Sequence, residues 1–512
     1  MIDLAFWLPL LVLLTSLVTA IVIFVLREEQ HALRTALNLA GALAKLALVG
    51  VITFGVLEGR TYETRWSWLP GLDLVLRVDP ISLLFAALSS LLWLLTTIYA
   101  IGYLEGSPHR SRFFGFFSLC VTSTMGIALA GNLVTFFIFY EMLTVATYPL
   151  VIHRASPRAH AAGRIYLLYT LGGGTVFLLG ISWLQAIAGP VEFSSGGTLA
   201  HVASTHRPQL AGAFALLMVG LGVKAAMVPL HGWLPVAMVA PAPVSALLHA
   251  VAVVKAGAYG IVRVVYDLYG LELASSLGVL TPLAVAASVT IVYGSIRALS
   301  EGELKRRLAY STVSQLSYIV LGVAIFGPMA TIGGLVHLMH QGFMKITLFF
   351  CAGNLAETLH IHHVHEMRGA GRRMPVTMAA FTIAAFGMMG VPPLAGFVSK
   401  WHLGVGGVQA GHPWVILVLA ASSILNAMYF LPVVLTAWFG TPDRGTGTPA
   451  PGAQGSDTPQ WLTPSGRLET GWMLLLPAVS TMLLVIGAGI LAGWAFSPLG
   501  MTREIVDTMY GR

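Results

Sequence analysis

Charge is scarce in this chain: Lys, Arg, Asp and Glu make up only 10% of its 512 residues, against about 25% in an ordinary soluble domain. Hydrophobic residues make up 56%, and the mean hydropathy is +0.81. A bilayer is the solvent that makes such a composition stable, because lipid tails do not penalise exposed Leu, Val and Ile. Cysteine is nearly absent. Cys120 and Cys351 both lie in apolar runs and read as small buried hydrophobes. Without a CxxC pair, neither an iron–sulfur cluster nor a structural zinc of the usual kind is expected, and no cofactor or metal is assigned. The lack of a Walker-type phosphate loop argues against a nucleotide-driven pump. The N-terminus, MIDLAFWLPLLVLLTSLVTAIVIFVLREE, has no basic n-region and an apolar run longer than a signal core, so it reads as a retained first span. The net charge of +7 comes from short arginine clusters between apolar runs. With no basic face and no aromatic platform, it points to membrane loops and away from nucleic acid.

What is present is a series of apolar windows near 20 residues long, separated by charged or Gly/Pro breaks. They predict an all-α polytopic membrane protein of about 14 helices, at 3–26, 34–57, 80–104, 112–130, 133–152, 162–188, 210–230, 242–266, 276–298, 308–327, 329–356, 375–402, 413–438 and 471–495. Only Gly131 and Asn132 divide the fourth from the fifth, and 232–241 has the length of a half-helix. With the N-terminus outside, sixteen Lys and Arg fall on inner loops and six on outer ones, which predicts both termini outside. The segment DRGTGTPAPGAQGSDTPQWLTPSGR (443–467) reads as a flexible cytoplasmic linker. One transmembrane domain, 1–512, is predicted: N-terminal helices to 104, helical units at 112–266 and 276–438, a linker at 439–470 and a last helix at 471–495.

The lysines carry the sharpest functional signal. There are six, and only Lys305 falls in an obvious loop; Lys45, Lys224, Lys255, Lys345 and Lys400 lie inside or close to predicted spans, while arginine serves the loops. Each charge inside a span costs at least about 2.5–3.5 kcal/mol on insertion scales. Arginine stays protonated even when buried, whereas a lysine moved out of water can fall from about 10.4 toward neutrality and so take up and release a proton. Of the 21 Asp and Glu, only Glu141 lies well inside an apolar run, and Lys224 is its natural partner. A Glu–Lys pair that opens and closes would load and unload the amine, although such a pair can also simply fix helix register. Lys45 reads as peripheral. His249, six residues before Lys255 on the same predicted helix, and His337 and His340, one turn apart, supply neutral imidazoles that can relay protons or sit as hydrogen-bonded core residues. The run His360, His362, His363 and His365 reads as a polar or pH-sensitive loop in preference to a metal site. Breakers accompany the charges: Pro229 and Pro235 follow Lys224, Gly342 separates His340 from Lys345, and Pro392 and Pro393, flanked by Gly390 and Gly396, precede Lys400. Broken helices at membrane depth are tolerated where they line a wet cavity, and they mark ion sites. The order of charges and breaks also echoes weakly between spans 4–8 and 9–13.

The stretch KAAMVPLHGWLPVAMVAPAPVSALLHAVAVVKAGAYGIVRV resembles the signature of the antiporter-like subunits shared by Mrp-type cation/proton antiporters, respiratory complex I and membrane-bound hydrogenases. EGELKRRLAYSTVSQLSY, HLMHQGFMK and GVPPLAGFVSKW are similar to that family's later motifs, and the resemblance runs in consistent order over residues 75–435. It implies a 14-helix fold with two inverted five-helix repeats, each containing a broken helix. It places the family's essential glutamate on Glu141, its lysines on Lys224 and Lys255, its eleventh-span histidine on His337 and its twelfth-span charge on Lys400. One position departs: Val236 stands where many relatives carry an acid, which puts in doubt a cation-uptake or capping role there. The expected lack of a long C-terminal lateral helix favours similarity to the D-type Mrp subunit or the middle antiporter-like subunit of complex I.

The leading expectation is a proton-translocating subunit of a multisubunit Na+/proton antiporter, partnered by other membrane subunits in a bacterial or archaeal inner membrane and not itself an enzyme. Protons would pass from Glu141–Lys224 through His249 to Lys255, then through His337, His340 and Lys345 to Lys400. About 2.3 kcal/mol per charge per 100 mV would drive them. The alternatives are a pump module of a complex I-like NADH:quinone oxidoreductase or hydrogenase, and an energising subunit for inorganic-carbon uptake.

Overall fold

The computed structural model describes residues 4–69, 72–441 and 469–511. Its helices begin where the chain supplies caps. After α1 (Leu4–Val25) and α2 (His31–Leu57), α3 (Pro80–Tyr103) starts at Asp79, whose carboxylate accepts from the Ser82 amide while Ser82 accepts from the Asp79 amide; Pro80 follows at the first helical position. The weakest predicted boundary is a true break. α4 (Arg110–Ala128) ends before it, and α5 (Leu133–Val151) starts at Asn132, whose side chain accepts from the Thr135 amide. Ser156 caps α6 (Pro157–Ala188), and α7 (Ala203–Lys224) ends on the lysine itself. There follow α8 (Ala242–Tyr269), α9 (Leu280–Ser300), α10 (Leu304–Ala324), α11 (Pro328–Leu359), α12 (Pro375–Met389), α13 (Ala395–Gln409), α14 (Trp414–Phe439), α15 (Trp472–Ile490) and α16 (Pro498–Met509).

Ten helices among the described residues are long and apolar enough to cross a membrane: α1, α2, α3, α5, α6, α8, α9, α11, α14 and α15. The expected spans 112–130, 210–230 and 308–327 are helical too, as α4, α7 and α10, but more polar, and 375–402 is split into α12 and α13. The most apolar stretches of α8 and α11 are wholly buried, whereas α2 and α14 leave most of theirs facing outward. These two helices, like α10 over 308–324, are therefore enclosed by the others, and α8 and α11 carry Lys255, His337, His340 and Lys345.

Four features depart from the sequence reading. An antiparallel hairpin, β1 (Tyr62–Leu69) with β2 (Leu72–Val78), interrupts the helical pattern, and Tyr62, Thr64, Val75 and Val78 turn inward from it. The short helix α16 extends the fold past the expected last span. Gly342 does not break its helix: α11 runs unbroken through it, and a Cβ there would meet Leu88 at 3.0 Å and the Ala250 carbonyl at 3.4 Å. Its role is close packing between α3, α8 and α11. The fourth departure is α8 itself. It widens into a π-helical turn at Leu247–Val251 and breaks at Ala252 (φ −114, ψ −84) before resuming over Val253–Arg263. The expected breaks at Pro229 and Pro235 are present after α7, where Pro235 sits in a one-turn helix, Trp233–Val236. Pro392 and Pro393 lie between α12 and α13. Most of the expected linker, 442–468, lies outside the described residues.

Candidate functional site

α11 is the spine of the site. The Lys255 amine reaches from α8 to the Leu338 carbonyl of α11 at 2.5 Å. On the preceding residue, His337, Nδ1 lies 2.8 Å from the Ser399 hydroxyl of α13, and the ring packs beside Tyr318 at 5.2 Å. His337 Nε2, both ring nitrogens of His340, both amide atoms of Gln341 and Gln315, and the Tyr318 hydroxyl are buried without a partner. Further along the helix, Lys345 donates to the Leu308 carbonyl of α10 at 3.1 Å.

Lys400 occupies the gap between α12 and α13. Its amine donates to the carbonyls of Met388 (2.9 Å) and Met389 (3.0 Å) and to the Ser423 hydroxyl of α14 (3.0 Å). α12 stops at Met389 because Gly390 adopts φ +89, and the stop leaves its last carbonyls free to hold a cation at the negative end of the helix dipole. An open groove of about 680 Å³, lined by Trp401, Val405, Ile416 and Leu419 among others, reaches Lys400 from the side.

At the other end, the Lys224 amine donates to the Tyr140 carbonyl of α5 and lies 3.3 Å from the centroid of the Tyr140 ring. Glu141 is the next residue of α5, packed against Gly174 of α6, where a Cβ would meet its Oε1 at 2.2 Å. That Oε1 has no hydrogen-bond partner. The expected direct Glu141–Lys224 contact is therefore not made in this conformation, although the two groups are close enough to feel each other's charge. All four amines, on Lys224, Lys255, Lys345 and Lys400, thus rest on backbone carbonyls. A carbonyl accepts a hydrogen bond from a charged or a neutral amine alike, whereas a contacting carboxylate would favour the charged form.

Other placements correct the sequence reading. His249 shares α8 with Lys255, as expected, but the helix between them is not regular. The break at Ala252 separates them, and the His249 ring stacks on Phe349 at 4.5 Å, one turn beyond Lys345 on α11. It therefore belongs with Lys345, on the far side of Lys255 from His337. Lys305 is not a free loop residue; it starts α10 and donates to the Ala240 carbonyl at 2.6 Å. Lys45 is not peripheral but fully buried. Glu141 is only half-buried, and a more deeply buried acid lies elsewhere: Asp267, on the last turn of α8, lies 2.8 Å from the Arg263 guanidinium, which also binds Asp79 at 2.7 Å. The available signals were Asp79–Pro80 as a helix start and Arg263/Asp267 at i, i+4 spacing. In the histidine loop, Glu366 accepts from the amides of His362 and His363, and the His363 and His365 rings stack at 5.5 Å.

Contact between the Lys224 and Lys255 helices depends on one glycine. A Cβ at Gly257 would lie 2.2 Å from the Ala225 nitrogen and 2.8 Å from the Leu221 carbonyl oxygen. Backbone cannot yield as a side chain can, so Gly257→Ala should cost at least about 1–3 kcal/mol. The expected outcome is a lower melting temperature in detergent and reduced transport per assembled molecule; wild-type values for both would show that α7 and α8 are not tightly apposed.

Residues 130–426 match the family described as NADH:quinone oxidoreductase/Mrp antiporter, TM, and residues 69–114 match the NADH-ubiquinone oxidoreductase (complex I) chain 5 N-terminus. NADH-quinone oxidoreductase subunit N of Desulforudis audaxviator is 34% identical over 496 residues, covering 94% of each chain. Subunit L of Mycobacterium tuberculosis is 32% identical over 92% of this chain and 74% of its own length. A chain of the Mrp complex from Dietzia sp. DQ12-45-1b superimposes with a TM-score of 0.85 at 25% identity, covering 99% of this chain and 98% of that one. Taken with the buried charges along α11, these matches establish that the chain belongs to the NADH:quinone oxidoreductase/Mrp antiporter family, as one of its multi-pass, antiporter-like proton-translocating membrane subunits.

Proposed function

We propose that this chain is a proton-translocating subunit of a multisubunit Na+/H+ antiporter in a bacterial or archaeal inner membrane, with both termini outside. The carrying observation is the set of buried amines held on carbonyls, Lys224 on α5 and Lys255, Lys345 and Lys400 along and beside α11, the latter interleaved with unpaired imidazole and amide groups. Ordered water bridging those groups would complete a proton path. In this reading Glu141 and Lys224 form one station, Lys255 and His337 the centre, and Lys400 the other end. His340 lines the central section, while Lys345 and His249 form a side branch. The units 112–266 and 276–438 serve as two half-channels meeting at the centre. The near full-length likeness to a chain of the Mrp complex supports the antiporter assignment.

The test is reconstitution of the chain with its co-purifying membrane subunits in vesicles carrying a preset pH gradient and a fluorescent pH probe. Addition of NaCl is expected to collapse the gradient without any electron donor. The identity to a subunit of NADH-quinone oxidoreductase favours a second reading, a pump module of a redox complex. A gradient indifferent to Na+ but built up by quinone reduction would replace the first reading with the second.

A further inference from the structure

Two carbonyls at the end of α12 are freed by the sequence itself. In a continuing helix Met388 and Met389 would accept from the amides four residues on, but those residues are Pro392 and Pro393, which have no N–H. Lys400 donates to both carbonyls, at 2.9 and 3.0 Å. The Met388 carbonyl has a second donor, the side-chain amide of Asn426 on α14, at 3.0 Å. Asn426 is fully buried, as are Tyr429 and Ser311 behind it. Tyr429, one turn further along α14, donates its hydroxyl hydrogen to Asn426 Oδ1, and its oxygen lies 2.8 Å from the Ser311 hydroxyl of α10. A phenol carries one hydrogen, so with that hydrogen on Asn426 it is Ser311 that donates to Tyr429. Turned over, the Asn426 amide would set its oxygen against the Met388 carbonyl oxygen, so its orientation is fixed. Ser311 is one turn from Leu308, whose carbonyl holds Lys345 at 3.1 Å. The helix that positions one amine thus also braces the support of the other.

Lys400 alone already satisfies the Met388 carbonyl, and burying an amide is costly unless its own groups are paired. A second donor on that oxygen matters when the first one leaves. To pass a proton on, the Lys400 amine must withdraw from its acceptors, and a buried carbonyl left without a partner is costly. The three acceptors differ in this respect. Gly390 and Ser423 line the open groove, so Ser423 and the Met389 carbonyl lie at its edge, whereas Met388 is fully buried. Met388 is the acceptor that needs a replacement donor, and it is the one that Asn426 holds.

We propose that Asn426 is a positioning residue for proton transfer at Lys400, keeping the Met388 carbonyl paired and in place, with Tyr429 and Ser311 behind it, while the amine comes and goes. This inference rests on the reading of Lys400 as a station of the proton path. The closing experiment uses the assembled complex in vesicles, with proton flux read by a pH-sensitive dye across a range of pH and normalised to the assembled subunit. Asn426→Leu keeps the volume and removes the donor. Tyr429 then turns its hydrogen to Ser311, and Arg307 of α10 still donates to the Tyr429 carbonyl of α14 at 3.0 Å, so the helices stay joined. Flux at neutral pH is expected to fall roughly tenfold, a barrier increase of about 1.4 kcal/mol. Raising the pH by about one unit should restore it, because the defect is an amine held too firmly and not a damaged fold. Asn426→Asp keeps the shape. Both nitrogens lie on one oxygen, so a carboxylate at 426 would stand within about 6 Å of the amine, close enough to hold it charged. It should move the flux–pH curve further in the same direction, to complete loss at neutral pH. Wild-type flux in Asn426→Leu overturns the inference. So does a loss in that variant that no pH restores, which is the mark of a purely structural residue, and so does a wild-type curve in Asn426→Asp. A Lys400→Ala control separates the two levels. Loss of flux there with normal flux in Asn426→Leu removes the positioning role alone, while normal flux in Lys400→Ala removes the reading on which it rests.

Discussion

A Lys224→Ala variant is expected to lose proton movement by at least about 100-fold, the scale of one essential proton-transfer group, while the protein still assembles. The geometry separates these two effects. The amine rests on the Tyr140 carbonyl, which also accepts from the Thr144 hydroxyl at 3.4 Å, so removing the lysine strands no backbone acceptor. The amine donates to the Tyr140 carbonyl and not to Glu141, so no hydrogen-bonded charge is left behind. What disappears is the group that can move between the Tyr140 carbonyl and the Glu141 carboxylate. Lys224→Arg should be equally inactive, since a guanidinium keeps its proton. Glu141→Gln should match Lys224→Ala, and combining the two should add nothing, as for two members of one station. Dye-monitored flux in vesicles, normalised by immunoblot, decides the matter. Transport by Lys224→Arg at the wild-type rate would sink the relay, because a permanent charge would then suffice.

How much of this could be read from sequence depends on the range over which each signal acts. The lysines of the row were legible because a charge in an apolar run is costly wherever the run folds, and Lys224, Lys255, Lys345 and Lys400 are all buried. The breaks at Pro229 and at Pro392–Pro393 were legible because proline acts on its own helix. Gly342 misled because a glycine marks either a break or a close approach, and only the passing Leu88 and Ala250 show which. The break at Ala252 has no proline or glycine to announce it; the π-helical turn before it moves His249 to Phe349. Lys45 looked peripheral because its partners, Ser16 and Trp93, come from two other helices. The hairpin YETRWSWLPGLDLVLRV was legible in principle, with two runs of β-formers around Pro70–Gly71, but a length-and-apolarity reading of spans passes over it. Its register was also recoverable from charge: Glu63 pairs across to Arg77, and Arg65 reaches Asp73.

The largest loss of stability is expected from Arg263→Leu. The guanidinium sits at the end of α8, 2% exposed, with Asp79 and Asp267 on one of its nitrogens and the Phe193 ring 4.6 Å away. Asp79 also caps α3, so this one cation joins the start of α3 to the end of α8. Beside it, a cavity of about 260 Å³ is closed on one side by Ile505, Thr508 and Met509 of α16. Removing the arginine leaves Asp267 almost fully buried without its counter-charge, and breaking a buried pair in this way costs about 3–5 kcal/mol. The lower end applies, because Asp79 remains a quarter exposed and can turn to water. Arg263→Lys should recover only part of the loss, since an ammonium replaces the planar fork with a more strongly hydrated point charge. Replacing both partners, Arg263→Leu with Asp267→Leu, should recover most of it, because an apolar pair of similar volume carries no desolvation cost. Melting curves in detergent across the three variants distinguish the cases. If the double replacement melts no higher than Arg263→Leu, the stranded Asp267 charge is not the source of the loss, and the lost link from Arg263 to Asp79 and its packing on Phe193 must be.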